Sequence, residues 1–190
     1  AYDSMSIKPG SIVDNQILNQ DLNAIYASGW FSGVKIKSQE GPYGVQLIIN
    51  VVPNPILKKV KLESTNSLIS NEYVDNIFNN SYGKTLNLND LQNKIKIIKK
   101  RYEDEGYSLV RINSPNRISD DGIIILNVSE GIISDVDLKF PNSDGESFID
   151  GKERKGKTKD WVIKRELKTK PGTIFNRKIL ESDIKRLYNT

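Results

Sequence analysis

A segment near the start of the chain recurs near its end. Residues 8–27 and 170–189 align without a gap, and eight of the twenty aligned positions are identical. Average residue frequencies give roughly one identity by chance over such a length. The eight identities are Lys8/Lys170, Pro9/Pro171, Gly10/Gly172, Ile12/Ile174, Ile17/Ile179, Leu18/Leu180, Asp21/Asp183 and Tyr26/Tyr188. Internal similarity of this kind predicts one small fold that is used more than once along the chain.

A third version of the pattern lies between these two. Residues 82–88 fit the turn at Pro9-Gly10, and the helix that follows runs about one turn longer, to Tyr102. The unit is therefore about 75 to 85 residues long, enough for a small domain with a modest core. We predict three repeats: residues 1–54 without an opening strand, a complete copy over 55–131, and residues 132–190 without a closing hairpin.

The junction between the second helix and the second strand has its own signature. Gly29 and Gly106 each follow the last turn of a helix, where a left-handed backbone favours glycine. An aromatic residue comes next in both copies, Trp30 or Tyr107. We predict that these residues, together with Tyr26, Tyr102 and Tyr188, are structural and pack the end of the helix onto the sheet.

Hydrophobic periodicity gives the order β-α-α-β-β for the complete repeat. Its predicted elements are a strand over 56–63, a helix over 70–78, a long helix capped by Asn89 and ending at Tyr102, and strands over 107–113 and 122–129. The fold class is α+β, with a three-stranded mixed sheet packed on two helices. The third strand is predicted to lie in the middle of that sheet, which leaves the second strand on an edge.

The outer repeats are predicted to be variations of this unit. In the first, Asp14 caps a helix over 15–28 and a hairpin follows, with strands over 34–37 and 45–52. In the third, an opening strand over 136–140 precedes a charged, glycine-rich stretch at 141–158, which we interpret as a mobile surface insert. Helices are predicted over 159–167 and 176–188.

Composition removes several classes of function. The chain contains no cysteine and no histidine, so thiolate chemistry and the commonest general base and metal ligand are absent. Phosphate-binding loops and paired-carboxylate motifs are also lacking. We therefore predict no enzyme activity, no metal and no cofactor. A net charge of +4 from 28 basic and 24 acidic residues is mild and does not by itself indicate a nucleic-acid partner.

The element order and junction motifs resemble the POTRA (polypeptide-transport-associated) domain. The residues that carry the resemblance are Gly29-Trp30-Phe31, Gly106-Tyr107, the Pro-Gly turns and the run at 82–88. The pattern is most similar to the cyanobacterial and plastid branch of BamA-like outer-membrane β-barrel assembly proteins. This resemblance implies a periplasmic or plastid-envelope location, a membrane β-barrel in the same full-length chain, and unfolded outer-membrane precursors, periplasmic chaperones or assembly factors as partners. It implies no nucleic acid.

An open strand edge suits the binding of an extended client segment by β-augmentation. The residues predicted to form such edges and the groove beside them are Val34, Ile36, Tyr73, Ile77, Tyr107, Leu109 and Arg111. The competing interpretation is that Lys35, Lys37 and Arg111 only discourage aggregation. A basic cluster over 94–101 leaves open a second hypothesis, a nucleic-acid-binding or anionic-surface-binding module.

Overall fold

The computed structural model describes residues 2–66, 68–115, 118–141, 148–149, 152–153, 156 and 158–189. The chain divides into two compact units. One comprises residues 1–63, 67–98 and 113–127, and the other comprises residues 64–66, 99–112 and 128–190. Within the described ranges, none of the helices combines the length and the apolar character that crossing a lipid bilayer requires.

The first repeat consists of one helix and a long hairpin. Helix α1 spans Asn15–Ala27, and Asp14 caps it by accepting a hydrogen bond from the Gln16 N–H, as predicted. Strands β1 (Phe31–Gly41) and β2 (Gly44–Pro53) pair antiparallel. The small core here is the buried cluster of Met5, Ile25 and Val34.

The middle repeat has the predicted β-α-α-β-β order. Its elements are β3 (Lys59–Ser64), α2 (Asn71–Phe78), α3 (Leu88–Asp104), β4 (Arg111–Asn113) and β5 (Ile123–Ser129). The sheet order is β3-β5-β4, so the third strand of the repeat is central, as predicted. Along β5 the side chains alternate between buried and exposed, which is typical of a strand with one face on a core.

One predicted strand of this repeat is much shorter than expected. The sequence predicts a strand over Tyr107–Asn113, but β4 contains only its last three residues. The Tyr107 N–H donates to the Tyr102 carbonyl (2.9 Å) and the Ser108 N–H donates to the Gly106 carbonyl (3.0 Å). Because these donors are used within local turns, they are not available to a sheet ladder, and Tyr107 and Leu109 lie outside the strand.

The third repeat contains a short hairpin and two helices. Strands β6 (Phe148–Ile149) and β7 (Lys152–Glu153) pair antiparallel, and α4 (Asp160–Glu166) and α5 (Arg177–Tyr188) follow. The predicted strand over 136–140 is wrong. Half-buried and exposed residues alternate over this stretch, but they belong to no strand. No described strand pairs with them, and alternation without a ladder partner does not make a sheet. Most of the predicted mobile insert at 141–158 lies outside the described residues.

The predicted packing of the junction aromatic residues is only partly correct. Tyr102 is 1% exposed, in agreement with the prediction. Trp30 and Tyr188 are 47% and 88% exposed, so they do not pack the helix end onto a sheet. Tyr26 is 42% exposed, and its hydroxyl contacts the backbone of β1. The tyrosine near the helix end (Tyr26, Tyr102 or Tyr188) is thus shared between the repeats, but its contacts differ from one repeat to the next.

Two buried aspartates hold the segment that precedes the long helix in the first and third repeats. Asp21 accepts hydrogen bonds from the Ser6 N–H (2.7 Å) and the Ile7 N–H (2.9 Å). Asp183 accepts from the N–H groups of the two successive residues at 168 and 169, at 2.9 and 2.7 Å. Burial alone raises the pKa of each carboxyl, but the backbone donors outweigh it and the pKa of both is lowered.

The start of α3 is capped differently from the prediction. Asn87, not Asn89, is the N-cap, because its side-chain oxygen accepts from the N–H groups of Asn89 (2.9 Å) and Asp90 (3.1 Å). The Asn89 amide instead donates to the Ala27 carbonyl at 2.8 Å, in the last turn of α1. The sequence shows two asparagines near the helix start and does not distinguish a local cap from a long-range contact.

The end of α1 meets the start of α3 through three hydrogen bonds, which we call the first joint. The donors are the Asn87 and Asn89 side-chain amides and the Leu88 N–H, and the acceptors are the carbonyls of residues 28, 27 and 29. Gly29 has φ = +78°, and a Cβ there would lie 2.9 Å from the Asn87 Oδ1. The donors satisfy carbonyls at a helix end that has no further helical partner.

The end of α3 meets the start of α5 in the same way, in a second joint. The donors are the Asn176 side-chain amide (3.0 Å), the Arg177 N–H (2.8 Å) and the Lys178 Nζ (2.6 Å). They bind the carbonyls of Glu105, Gly106 and Asp104, respectively. Asn176 also caps its own helix, as Asn87 does. The repeated device joins the end of one long helix to the start of the next.

Candidate peptide-docking edges

The outer edge of β1 is the longest candidate edge in the first unit. Strand β1 has 11 residues, and β2 is the one strand that pairs with it among the described residues. Val34 lies opposite Val51 of β2, yet both its N–H and its C=O bond the Tyr26 hydroxyl. These two groups therefore point away from β2. Because backbone direction alternates along a strand, Ile36 and Ser38 present their N–H and C=O groups on the same side.

The side chains on β1 restrict how a client could be held. Val34 is 5% exposed and belongs to the core cluster, so its side chain is not open to a ligand. Ile36 is half-buried, and Lys35 and Lys37 are exposed. A segment that adds to this edge would be recognised mainly through its backbone, with two nearby positive charges.

Strand β2 carries an apolar face whose residues are not among the predicted docking residues. Val45, Leu47, Ile49 and Val51 lie opposite alternate residues of β1, which places them on one face of the hairpin. Val45 and Val51 are 52% and 38% exposed. A cavity of about 340 Å³ lies here, lined on its other side by Met5 and Ile7 among others. Unbroken alternation in the sequence predicts the apolar face but not how far it is covered.

The edge of β3 is closed by side chains. The Val60 N–H donates to the Tyr82 hydroxyl (3.3 Å), and the Leu62 N–H donates to the Asn71 side-chain oxygen (3.2 Å). Tyr82 is itself held, since its hydroxyl donates to Asp75 at 2.7 Å. The backbone groups that an added strand would need at β3 are therefore occupied.

Asp75 fastens this arrangement. It pairs with the Lys59 ammonium at 2.5 Å as well as with Tyr82. The hydrogen bond from Lys59, followed by that from Tyr82, lowers the pKa of Asp75. Burial, followed by the hydrogen bond to the Asp75 carboxylate, raises the pKa of Tyr82 to about 12. The two shifts are consistent with one coupled contact in which the carboxylate is charged and the phenol is neutral.

The predicted site residues of the middle repeat are not brought together by the described contacts. Arg111 is exposed on β4, whereas Tyr107 and Leu109 lie in the preceding turn. Tyr73 and Ile77 are half-buried on α2, and the side-chain hydrogen bonds described for α2 reach β3 and Tyr82. A groove formed by these five residues stays a prediction.

The basic cluster on α3 is interleaved with acidic residues. Lys99 pairs with Glu103 at 3.6 Å, Arg101 pairs with Glu105 at 2.6 Å, and Lys94 pairs with Asp90 at 3.1 Å. Each pair has the i, i+4 spacing that brings side chains together on a helix. Much of the positive charge is thus balanced on the helix itself, which disfavours an anion-binding surface there.

Sequence comparison with protein families gives two matches. The profile described as "POTRA domain, ShlB-type" matches residues 56–131, and the profile described as "Surface antigen variable number repeat" matches residues 148–190. The first match covers the middle repeat from its opening segment to its last strand. The second covers the two helices of the third repeat.

Solved structures and a plant protein resemble the chain over almost its whole length. POTRA1–3 of the periplasmic domain of Omp85 from Anabaena is 35% identical, with a TM-score of 0.88 over 99% of this chain and 76% of that one. The N-terminal domain of Omp85 from Thermosynechococcus elongatus is 36% identical, with a TM-score of 0.79 over 99% and 77%. The chloroplastic outer envelope protein 80 of Oryza sativa subsp. japonica is 26% identical over 95% of this chain, which spans only 26% of that relative.

Proposed function

Since this chain belongs to the family of tandem POTRA domains found in Omp85 proteins, we propose that it is a docking module in the periplasm, or in the equivalent compartment of a plastid. It serves an outer-membrane protein assembly or preprotein translocation factor. It lies at the periplasmic face of the outer membrane or at the equivalent face of the plastid outer envelope, and a membrane β-barrel belongs to the same full-length protein. The chain acts as a scaffold without catalysis. The similarity to periplasmic Omp85 domains and to an outer envelope protein supports this placement.

The proposed division into repeats is residues 1–54, 55–131 and 132–190. The position of the profile match at 56–131 supports the first boundary and the second. The two joints support it as well, because each connects the end of one long helix with the start of the next. Each repeat thus contributes one long helix to the array.

The proposed clients are unfolded segments of outer-membrane β-barrel precursors, which bind as an added strand. The observation that carries this proposal is the outer edge of β1, where Ile36 and Ser38 direct their backbone groups away from β2. Two residues offer four backbone hydrogen bonds, worth about 0.5–1.5 kcal/mol each. The cost of association offsets most of that gain. Since a millimolar Kd requires about 4.1 kcal/mol net, a single edge binds more weakly than millimolar, and several repeats gain by multivalency.

Chemical-shift titration of the isotope-labelled chain with an extended barrel-strand peptide tests this function. We expect the shifts to concentrate at the amides of Ile36 and Ser38. The matched controls are two peptides of the same sequence, one N-methylated on alternate residues and the other on every residue. An extended strand has two edges, so alternate methylation leaves one edge able to pair, whereas methylation of every residue removes all N–H donors and blocks both edges. Equal binding by the fully methylated and the unmethylated peptide would contradict β-augmentation.

A further inference from the structure

The Tyr26 hydroxyl occupies the place of a neighbouring strand at β1. It accepts from the Val34 N–H at 3.0 Å and donates to the Val34 C=O at 3.4 Å. In an antiparallel sheet, a residue of the added strand would exchange the same two bonds with Val34. Tyr26 comes from the last turn of α1, so the helix supplies a substitute for the missing strand partner.

Comparison with β3 shows how differently the two edges are protected. At β3 the covering hydroxyl of Tyr82 is anchored by Asp75, and Asn71 covers a second N–H. Among the residues that the structure describes, the Tyr26 hydroxyl bonds Val34 alone. Tyr26 is also 42% exposed, so its ring has open space into which it can turn. The edge of β3 is thus closed by a hydroxyl that a second side chain holds in place, whereas the edge of β1 is covered by the Tyr26 hydroxyl without such a support.

The geometry points to Tyr26 as a displaceable latch on the client-binding edge of β1. The inference rests on the docking function proposed above and names the residue that regulates it. An incoming extended segment displaces the hydroxyl from Val34 and takes over both of its hydrogen bonds. In the unliganded protein the latch covers Val34, one of the outward-facing residues of β1, and so reduces pairing between chains at this edge. Clients that reach Val34 therefore bind against a competitor already in place.

The test compares Tyr26→Phe with the unsubstituted chain in titrations with the same barrel-strand peptide. The substitution keeps the ring and removes the competing hydroxyl. Recovery of about one net hydrogen bond corresponds to about two- to tenfold tighter binding. Tyr43→Phe is the matched control, since Tyr43 is fully exposed at the hairpin turn, and we expect it to leave the affinity unchanged.

A second measurement does not depend on the variant. In the unsubstituted chain with isotope-labelled tyrosine, saturation with peptide should shift the Tyr26 ring signals and leave those of Tyr82 in place. Peptide binding at Ile36 and Ser38 without a Tyr26 response, or with unchanged affinity in Tyr26→Phe, would overturn the latch while the docking function stands. Absence of binding to both chains would overturn the docking function and the latch together.

Discussion

Asp183 occupies in the third repeat the position that Asp21 occupies in the first, and both carboxylates are buried on two backbone N–H groups. Each lies seven residues after the N-cap of its helix. In the middle repeat the residue seven after the cap Asn87 is Lys94, which pairs with Asp90 instead. One position in the fold therefore accepts two opposite charges, provided that each finds partners from its own repeat.

We predict that Asp183→Asn destabilises the chain at neutral pH and removes part of its acid sensitivity. Hydrogen bonds to a charged acceptor are worth about 1.5–3 kcal/mol, and the neutral amide loses that advantage. Because the folded-state pKa is lowered, the stabilisation is fully present above the ordinary value of 3.8 and is lost as the pH falls through the folded pKa. Urea denaturation at pH 7 and pH 3 measures both effects.

The control for this prediction is Glu181→Gln on the same helix. Glu181 forms an exposed ion pair with Arg177, so its loss should change the free energy of unfolding by less than about 1 kcal/mol. An Asp183→Asn chain that is as stable as the Glu181→Gln chain at pH 7 would contradict the role given to the buried carboxylate.

We predict that Gly106→Val costs more stability than Gly10→Val. Both glycines have positive φ, +101° and +88°, so both substitutions carry the left-handed penalty of about 1–2 kcal/mol. A Cβ at Gly106 would also overlap the Asn176 side chain of the second joint, whereas a Cβ at Gly10 meets nothing within 4 Å. Thermal unfolding of the two variants measures the difference. Equal melting temperatures would show that the Asn176 side chain moves away from the new Cβ without a loss of stability.

We predict that Tyr82 ionises at about pH 12 and that Tyr82→Phe lowers the absorbance change in this range by the contribution of one tyrosine. The ultraviolet absorbance of tyrosinate follows the titration. A folded-state pKa raised above the unfolded value of about 10 means that the contribution of Tyr82 is complete below pH 10 and is lost toward pH 12. The variant should lose about 2 kcal/mol at pH 7, because the hydroxyl donates to the charged Asp75 carboxylate and accepts from the Val60 N–H. Tyr43→Phe serves as the exposed control, and an absorbance change near pH 12 that Tyr82→Phe leaves undiminished would exclude this assignment.

Local patterns in the sequence are sufficient for the β-α-α-β-β order, the central place of the third strand and the POTRA family, all of which are confirmed. The Asp14 cap and the glycine ends at Gly29 and Gly106 are also confirmed, because each depends on only a few neighbouring residues. The length of β4 was mispredicted because apolar alternation does not show that the Tyr107 N–H is used in a turn.

The candidate site depends on contacts that sequence spacing does not contain. Val34 lies on the outer edge of β1, as the prediction of a client-binding edge requires, but the covering hydroxyl comes from another element. The signal that was available is a tyrosine at the end of an apolar helix stripe, because such a hydroxyl tends to find a polar partner. Which strand it reaches depends on how the helix packs, and that is settled only in three dimensions.

The donors and the acceptors in the two joints are different kinds of chemical group. The acceptors are main-chain carbonyl oxygens, which every residue type supplies. The side-chain donors include an asparagine amide in both joints. The first joint adds a second amide, from Asn89, and the second joint adds the ammonium of Lys178. Random substitution should therefore be tolerated at positions 27, 28, 104 and 105, while positions 87 and 176 accept few alternatives to asparagine.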